Sequence, residues 1–257
     1  MPQPLGQNFL NNPLIVDKIA DSANIQPDDF VLEIGPGKGI LTEKLCQKAQ
    51  KVIAVELDRN LKELLGEKFK NRENPEIIFA DILKLNVPEM LKERKISEYK
   101  LVANIPYYIT SKIIRLFLET TVKPEEMILM IQKEVAQRII AQPGEMSKLS
   151  ASVQYYAETE ILFDVEPSNF TPPPEVMSSV IRIKNIQSKN PQESKQYFRL
   201  VRAGFCARRK TLLNNLSNSL GIDKKTVEEK LMELKLNPQI RAQELSVKNW
   251  QDLSQQF

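Results

Sequence analysis

Apolar residues in this chain follow two rhythms, and the change from one to the other marks its organisation. Over residues 1–140, short apolar runs alternate with stretches where apolar residues recur at helical spacing. The runs are Phe30-Val31-Leu32-Glu33-Ile34, Val52-Ile53-Ala54-Val55, Ile77-Ile78-Phe79-Ala80, Leu101-Val102-Ala103 and residues 127–131. Such runs lack polar alternation and suit strands buried on both faces. The stretches at about 40–49, 60–69, 89–94, 111–118 and 135–140 suit helices. Repeated strand-then-helix units predict a parallel sheet covered on both sides. An extended lead-in over residues 5–10 precedes them, with a helix capped at Asn11-Asn12-Pro13 that carries Leu14, Ile15, Ile19 and Ala23 at helical spacing.

The rhythm then changes. A helix is predicted over 149–156, followed by strands Ile161-Leu162-Phe163 and Val180-Ile181-Arg182-Ile183. The prolines of 166–174 make the connection between them a loop without regular structure. An antiparallel pair at the end of a parallel sheet fits this pattern. Residues 185–194 read as a linker. Beyond it every signal is helical: Phe198, Val201 and Phe205 on one face, then Leu212, Leu213, Leu216 and Leu220 up to Gly221, a helix over 226–234, and a short one with Trp250 and Leu253. The division expected is 1–184 for an α/β domain and 190–257 for a small all-helical one.

Charge sharpens that division. Residues 1–179 hold 21 Lys and Arg against 26 Asp and Glu, and residues 180–257 hold 15 against 7. A basic segment on an acidic body suggests a nucleic-acid contact, or a basic helical face that is simply solvated. No apolar run approaches the ~18 residues of a membrane span, and the N-terminal residues lack a signal-peptide pattern, so a cytoplasmic protein is expected. Cys46 and Cys206 read as two buried free thiols. Histidine is absent, which excludes mechanisms needing an imidazole base and most zinc sites. No metal is expected.

Candidate chemistry collects where strands end, the place where ligands bind in open α/β sheets. The fourth run passes into Asn104-Ile105-Pro106-Tyr107-Tyr108. The Asn104 amide oxygen and a carbonyl at Pro106 suit the two N–H groups of an exocyclic amine, and Tyr107 suits stacking on its ring. An ordinary proline turn at a strand end is the plainer reading. Gly35-Pro36-Gly37-Lys38-Gly39 joins the first strand to a helix. Ile40 stands where a dinucleotide fingerprint needs its third glycine, so a cofactor without a pyrophosphate fits better. Glu56 lies 21 residues past Gly35 at the second strand end, the place of a ribose-hydroxyl acceptor. Asp81, at the third, suits an adenine amino group or a helix cap.

Gln7-Asn8-Phe9-Leu10, Glu33-Ile34-Gly35-Pro36-Gly37-Lys38-Gly39-Ile40-Leu41-Thr42, Glu56-Leu57-Asp58, Asn104-Ile105-Pro106-Tyr107, Gln132-Lys133-Glu134-Val135-Ala136, Phe170-Thr171-Pro172-Pro173-Pro174 with Val176, and Arg208-Arg209-Lys210-Thr211-Leu212-Leu213-Asn214-Asn215-Leu216 resemble the ribosomal RNA adenine N6-dimethyltransferases. The last three resemble the small-subunit (16S) enzymes and argue against the antibiotic-resistance methylases of large-subunit RNA. The resemblance covers nearly the whole chain. It implies a Rossmann-like class I methyltransferase sheet and S-adenosylmethionine as cofactor, held by Asn8, Leu10, Gly35, Gly37, Glu56, Asp81 and Asn104. Asn104, Pro106 and Tyr107 would hold a target adenine, with Phe170 as a second plate or as a core aromatic anchoring the proline loop. Arg202, Arg208, Arg209 and Lys210, on a helical pattern, would grip phosphates of small-subunit ribosomal RNA in the precursor subunit. A monomer is expected. The chain departs from the family in Met1-Pro2-Gln3-Pro4 where basic residues are usual, in Met177 where Asp is common, and in Ser147-Lys148 where Tyr-Gly is common. Two other readings are an assembly or transcription factor that kept the fold without turnover, and a nicotinamide dehydrogenase.

Overall fold

A computed structural model describes residues 8–257. The Gln7 and Met1-Pro2-Gln3-Pro4 positions lie outside the described residues. Two compact units emerge, one of Met1–Ala136 with Glu158–Ile186, the other of Gln137–Ala157 with Gln187–Phe257. The second unit therefore recruits a segment from the middle of the chain, where the simple division at 184–190 had assigned it to the sheet.

The first unit begins with β1 (Phe9–Leu10) and α1 (Pro13–Ser22). Asn12 caps α1 by accepting from Leu14 N, and Pro13 occupies the first helical position. The buried face is Val16, Ile19, Ala20 and Ala23. Leu14 is instead 76% exposed, because it stands in the first turn, off the stripe that faces the sheet. Then follow β2 (Phe30–Ile34), α2 (Ile40–Cys46), β3 (Lys51–Glu56), α3 (Lys62–Phe69), β4 (Pro75–Phe79), α4 (Val87–Glu93), β5 (Lys100–Asn104), α5 (Thr110–Glu119) and β6 (Glu126–Gln132). Strands β2 to β6 are parallel, as the alternation predicts. Helix α6 (Lys133–Ile140) runs across the boundary between the units.

After α7 (Lys148–Gln154) the chain returns for β7 (Glu158–Val165), β8 (Phe170–Thr171) and β9 (Ser178–Lys184). The sheet order is β4-β3-β2-β5-β6-β9-β7, with β9 antiparallel to both neighbours. The central strands are buried on both faces. Val31, Val52, Val102, Ile128, Met130 and Val180 share a core with α1 and α2, and Leu10 and Phe170 close it. Each fully buried Val or Leu of β5 is worth about 1.5–3 kcal/mol over exposure, which fixes the strand that ends at Asn104.

One element was not predicted. Phe170–Thr171 forms a strand inside the proline-rich connection, paired antiparallel with Phe9–Leu10. Prolines flank that pair of residues without occupying it, so its backbone groups remain available. Asn11 Nδ2 donates to Thr171 Oγ1 (2.6 Å) and Asn12 Nδ2 to Asn169 Oδ1 (2.7 Å), tying the lead-in to the loop.

The second unit holds α7 with α8 (Pro191–Gly204), α9 (Leu212–Leu220), α10 (Lys224–Glu233) and α11 (Val247–Ser254). The expected linker stops early, because Asn190 caps α8 by accepting from Gln192 N and Glu193 N. Ser147 and Ser150 form a capping box at the start of α7, which gives Ser147 a structural task at one of the departing positions. Tyr155 stacks on Tyr197 with ring centroids 4.1 Å apart, and Tyr197 Oη donates to Ala151 O (2.9 Å).

Candidate functional site

A cavity of about 330 Å³ opens in the first unit at the carboxyl ends of β2, β3 and β5. Asn8, Leu10, Gly35, Gly37, Glu56, Asp81, Asn104, Pro106, Tyr107 and Phe170 all line it. The fold thus brings every residue of the expected cofactor and base sites to one place.

The glycine loop has little freedom to vary. Gly35 and Gly37 sit at φ +69° and +56°, the left-handed region. A Cβ on Gly37 would stand 3.1 Å from the Phe9 ring, so strand β1 closes against the loop only because that side chain is missing. Lys38 Nζ lies 5.0 Å from the centre of the same ring. Glu56 is buried, yet both its oxygens are held by backbone amides: Oε2 accepts from Gly37 N (3.0 Å) and Oε1 from Asp58 N (2.8 Å). The carboxylate is fixed before any ligand arrives. Asp81 Oδ1 accepts from Leu83 N (3.0 Å), so its cap role and its place in the cavity wall coexist.

Asn104 ends β5, and its side-chain amide makes no hydrogen bond among the described residues. Pro106 O accepts from Ile109 N (3.1 Å) and keeps one lone pair. Tyr107 opens a short 3-10 turn, Tyr107–Ile109. Its hydroxyl meets Ser178 Oγ at 2.7 Å. Phe170 is 3% exposed; it belongs to the core and to the cavity wall at once.

Among the cavity residues that carry no role in the sequence reading, three stand out. Phe9 is one. Tyr108, 65% exposed, is another. The third is Glu33, which reads as a strand residue within Phe-Val-Leu-Glu-Ile. Burial pushes its carboxyl up to about 8; the Thr42 hydroxyl opposes that, the Glu56 charge adds to it, and Lys68 opposes it. Glu33 Oε2 has no hydrogen-bond partner among the described residues. Polar residues in buried strands carry no periodic signal, so only the fold reveals this one.

The basic residues are in the second unit. Arg202 is exposed on α8, in line with Lys195 and Arg199. Arg208, Arg209 and Lys210 are exposed on the turn between α8 and α9, not on a helix. At the end of α8, Asn215 Nδ2 donates to Gly204 O (2.6 Å) and to Ala207 O (3.0 Å), and Thr211 then caps α9. None of these side chains has an ion pair among the described residues. The two thiols differ: Cys46 is buried, which pushes it up to about 12, and Cys206 is exposed near the end of α8, against the expectation of two buried thiols.

A model of the ribosomal RNA adenine dimethylase family matches residues 3–257. The chain belongs to that family. Among relatives, the ribosomal RNA small subunit methyltransferase A of Dehalococcoides mccartyi is 45% identical over 251 residues, covering 97% of this chain and 86% of the relative. A dimethyladenosine transferase from Plasmodium falciparum has a similar solved structure, with TM-score 0.80 and 29% identity over 95% of each chain. The 23S rRNA methyltransferase ErmE superposes with TM-score 0.77 and 27% identity over 97% of this chain and 99% of its own. Identity to the small-subunit relative is higher than identity to the 23S enzyme.

Membership of the dimethylase family implies S-adenosylmethionine as the methyl donor. The cavity fits it on three counts: a glycine cradle that a Cβ would fill, a pre-oriented carboxylate at Glu56, and an orphaned buried oxygen on Glu33.

Proposed function

We propose that this protein transfers methyl groups from S-adenosylmethionine to N6 of two adjacent adenines near the 3′ end of small-subunit ribosomal RNA. The observation that carries the reading is the Asn104 amide beside Tyr107, without a hydrogen bond among the described residues, on the wall of a cavity that a glycine cradle also lines.

S-adenosylmethionine, when bound, would supply a methyl on a sulfonium: as the amine nitrogen bonds to that carbon its C–S bond breaks, a neutral thioether leaves, and the surplus proton of the amine passes to water. Gly35 and Gly37 would let the backbone come close to the cofactor, Glu56 would accept from its ribose hydroxyls, and Asp81 would accept from its adenine. Asn8 and Leu10 close the cavity from the β1 side. The target amine is a weak nucleophile, because its lone pair is delocalised into the ring. Asn104 Oδ1 and the remaining lone pair of Pro106 O each accept one N–H. That draws the nitrogen towards tetrahedral geometry and releases the lone pair. Tyr107 stacks on the base, and Phe170 bounds the opposite side. Catalysis here is alignment and electrostatics without a strong base, in keeping with a chain that has no histidine.

Arg202, Arg208, Arg209 and Lys210 neutralise phosphates of the precursor subunit, giving affinity without reading sequence. The protein acts as a monomer where small subunits assemble, in the cytoplasm. No helix among the described residues is long and apolar enough to cross a membrane.

The test is transfer from labelled S-adenosylmethionine to unmethylated small subunits, with the labelled nucleoside identified. N6-dimethyladenosine in small-subunit RNA is the expected product. Cofactor binding without transfer would overturn the reading in favour of a non-catalytic assembly factor.

A further inference from the structure

Tyr107 is held from behind by a residue far away in sequence. Its hydroxyl lies 2.7 Å from Ser178 Oγ. Ser178 is fully buried and is the first residue of β9. It pairs with Gln132 at the end of β6 and with Val165 at the end of β7. Because β9 runs antiparallel, its first residue arrives at the edge where the parallel strands finish. The reversed strand thus delivers a hydroxyl to the cavity side of the sheet.

The backbone around Ser178 is pinned. Met177 O accepts from Lys133 N (2.9 Å). Ser179 Oγ donates to Asp164 Oδ1 (2.6 Å), and Lys133 Nζ donates to Asp164 Oδ2 (2.6 Å). The bond from Lys133, then that from Ser179, holds the Asp164 carboxyl below the usual range, so this bracket is charged at neutral pH. Ser178 therefore cannot follow the ring if Tyr107 drifts. A bond to the phenol oxygen fixes the ring axis, and the in-plane O–H direction biases its rotation.

We propose that Ser178 is a positioning residue for methyl transfer, fixing the Tyr107 ring in the attitude in which it stacks on the target base. The proposal rests on the role given to Tyr107 above. It also explains how the chain accommodates Met177: the position contributes its carbonyl to the bracket, and a carbonyl is common to every residue.

The experiment is a double-mutant cycle with Ser178→Ala and Tyr107→Phe, which remove the same bond from opposite ends and leave the ring in place. Each single variant is expected to lower single-turnover methyl transfer about 10-fold, with cofactor affinity within about twofold of the parent, and the double variant to be no worse than either. Losses that multiply in the double variant, or a Ser178→Ala rate equal to the parent, would overturn the proposal. So would loss of cofactor affinity in step with rate, which marks a merely structural role. If Ser178→Ala does not fold, Tyr107→Phe decides alone: an undiminished rate overturns the proposal. Ring-flip rates of labelled Tyr107 by NMR give a readout independent of turnover, expected to rise in folded Ser178→Ala and unchanged if the inference is wrong. A parent protein that binds cofactor but transfers nothing would instead defeat the functional reading, leaving the ring measurement to judge Ser178.

Discussion

At Asn104 the side-chain amide makes no hydrogen bond among the described residues, on a strand end whose preceding residues are fully buried. Its removal therefore costs little stability. Asn104→Ala is expected to lower methyl transfer by about 10²–10³-fold or more, while calorimetry still detects cofactor bound through Gly35, Glu56 and Asp81. Residual turnover near the parent rate would remove Asn104 from the mechanism. Glu33 makes a prediction of a different kind. Its carboxyl titrates near 8 in the fold against an ordinary 4.5. Between those values the folded form holds a proton that the unfolded chain has released. Stability is full below 4.5, falls as pH rises, by at most about 1.4 kcal/mol per unit, and levels off past about 8. Glu33→Gln keeps the neutral form, so its melting temperature should gain on the parent's steadily from about pH 5 to 8. Parallel curves would show that Glu33 ionises without penalty. Asn104, Glu56 and Asp81 were legible because each polar residue interrupts the chain where an apolar run stops. Glu33 and Ser178 sit inside strands, where a lone polar residue looks like noise until a cavity or a tyrosine is seen beside it.

Elements longer than four residues with a steady period could be read directly, since burial on two faces or one stripe leaves its mark on composition. The pair β1 and β8 could not. Two residues per strand establish no period, and the partners come from opposite ends of the unit, Phe9 with Thr171 and Leu10 with Phe170. The turn of Arg208, Arg209 and Lys210 was read as helical because its charges continue the spacing of α8. What sequence spacing does not show is how closely the end of α8 is packed. A Cβ on Gly204 would stand 2.3 Å from Trp250 Cη2 and 2.9 Å from Leu212 Cδ1. Gly204→Ala is thus an overpacking change, expected to cost about 1–3 kcal/mol. Trp250 is the chain's single tryptophan, so its fluorescence during urea unfolding reports the shift, and an unmoved midpoint would mean that α11 yields without cost.

At the scale of the whole molecule, charge follows the structural units. Gln137–Ala157 with Gln187–Phe257 carry 15 Lys and Arg against 8 Asp and Glu, whereas the other unit carries 21 against 25. Reversing Arg208 and Arg209 to Glu should weaken RNA binding and flatten its dependence on salt, by about one unit of log–log slope for each phosphate no longer neutralised. An unchanged slope would make that turn a bystander. The segment 137–157 has a consequence for taking the protein apart. The chain passes between its two units three times, after Ala136, Ala157 and Ile186. A fragment ended after Lys184 would strand Tyr155 and Tyr156 without Tyr197 and Phe198, the rings they meet, and so bring sticky aromatic surface into water. No single cleavage point yields an isolated catalytic piece. During synthesis from the N-terminus, the sheet can be finished with β9 while 137–157 still waits for helices not yet made. Every strand of the sheet is thus made before α8, which carries the rings that Tyr155 and Tyr156 meet.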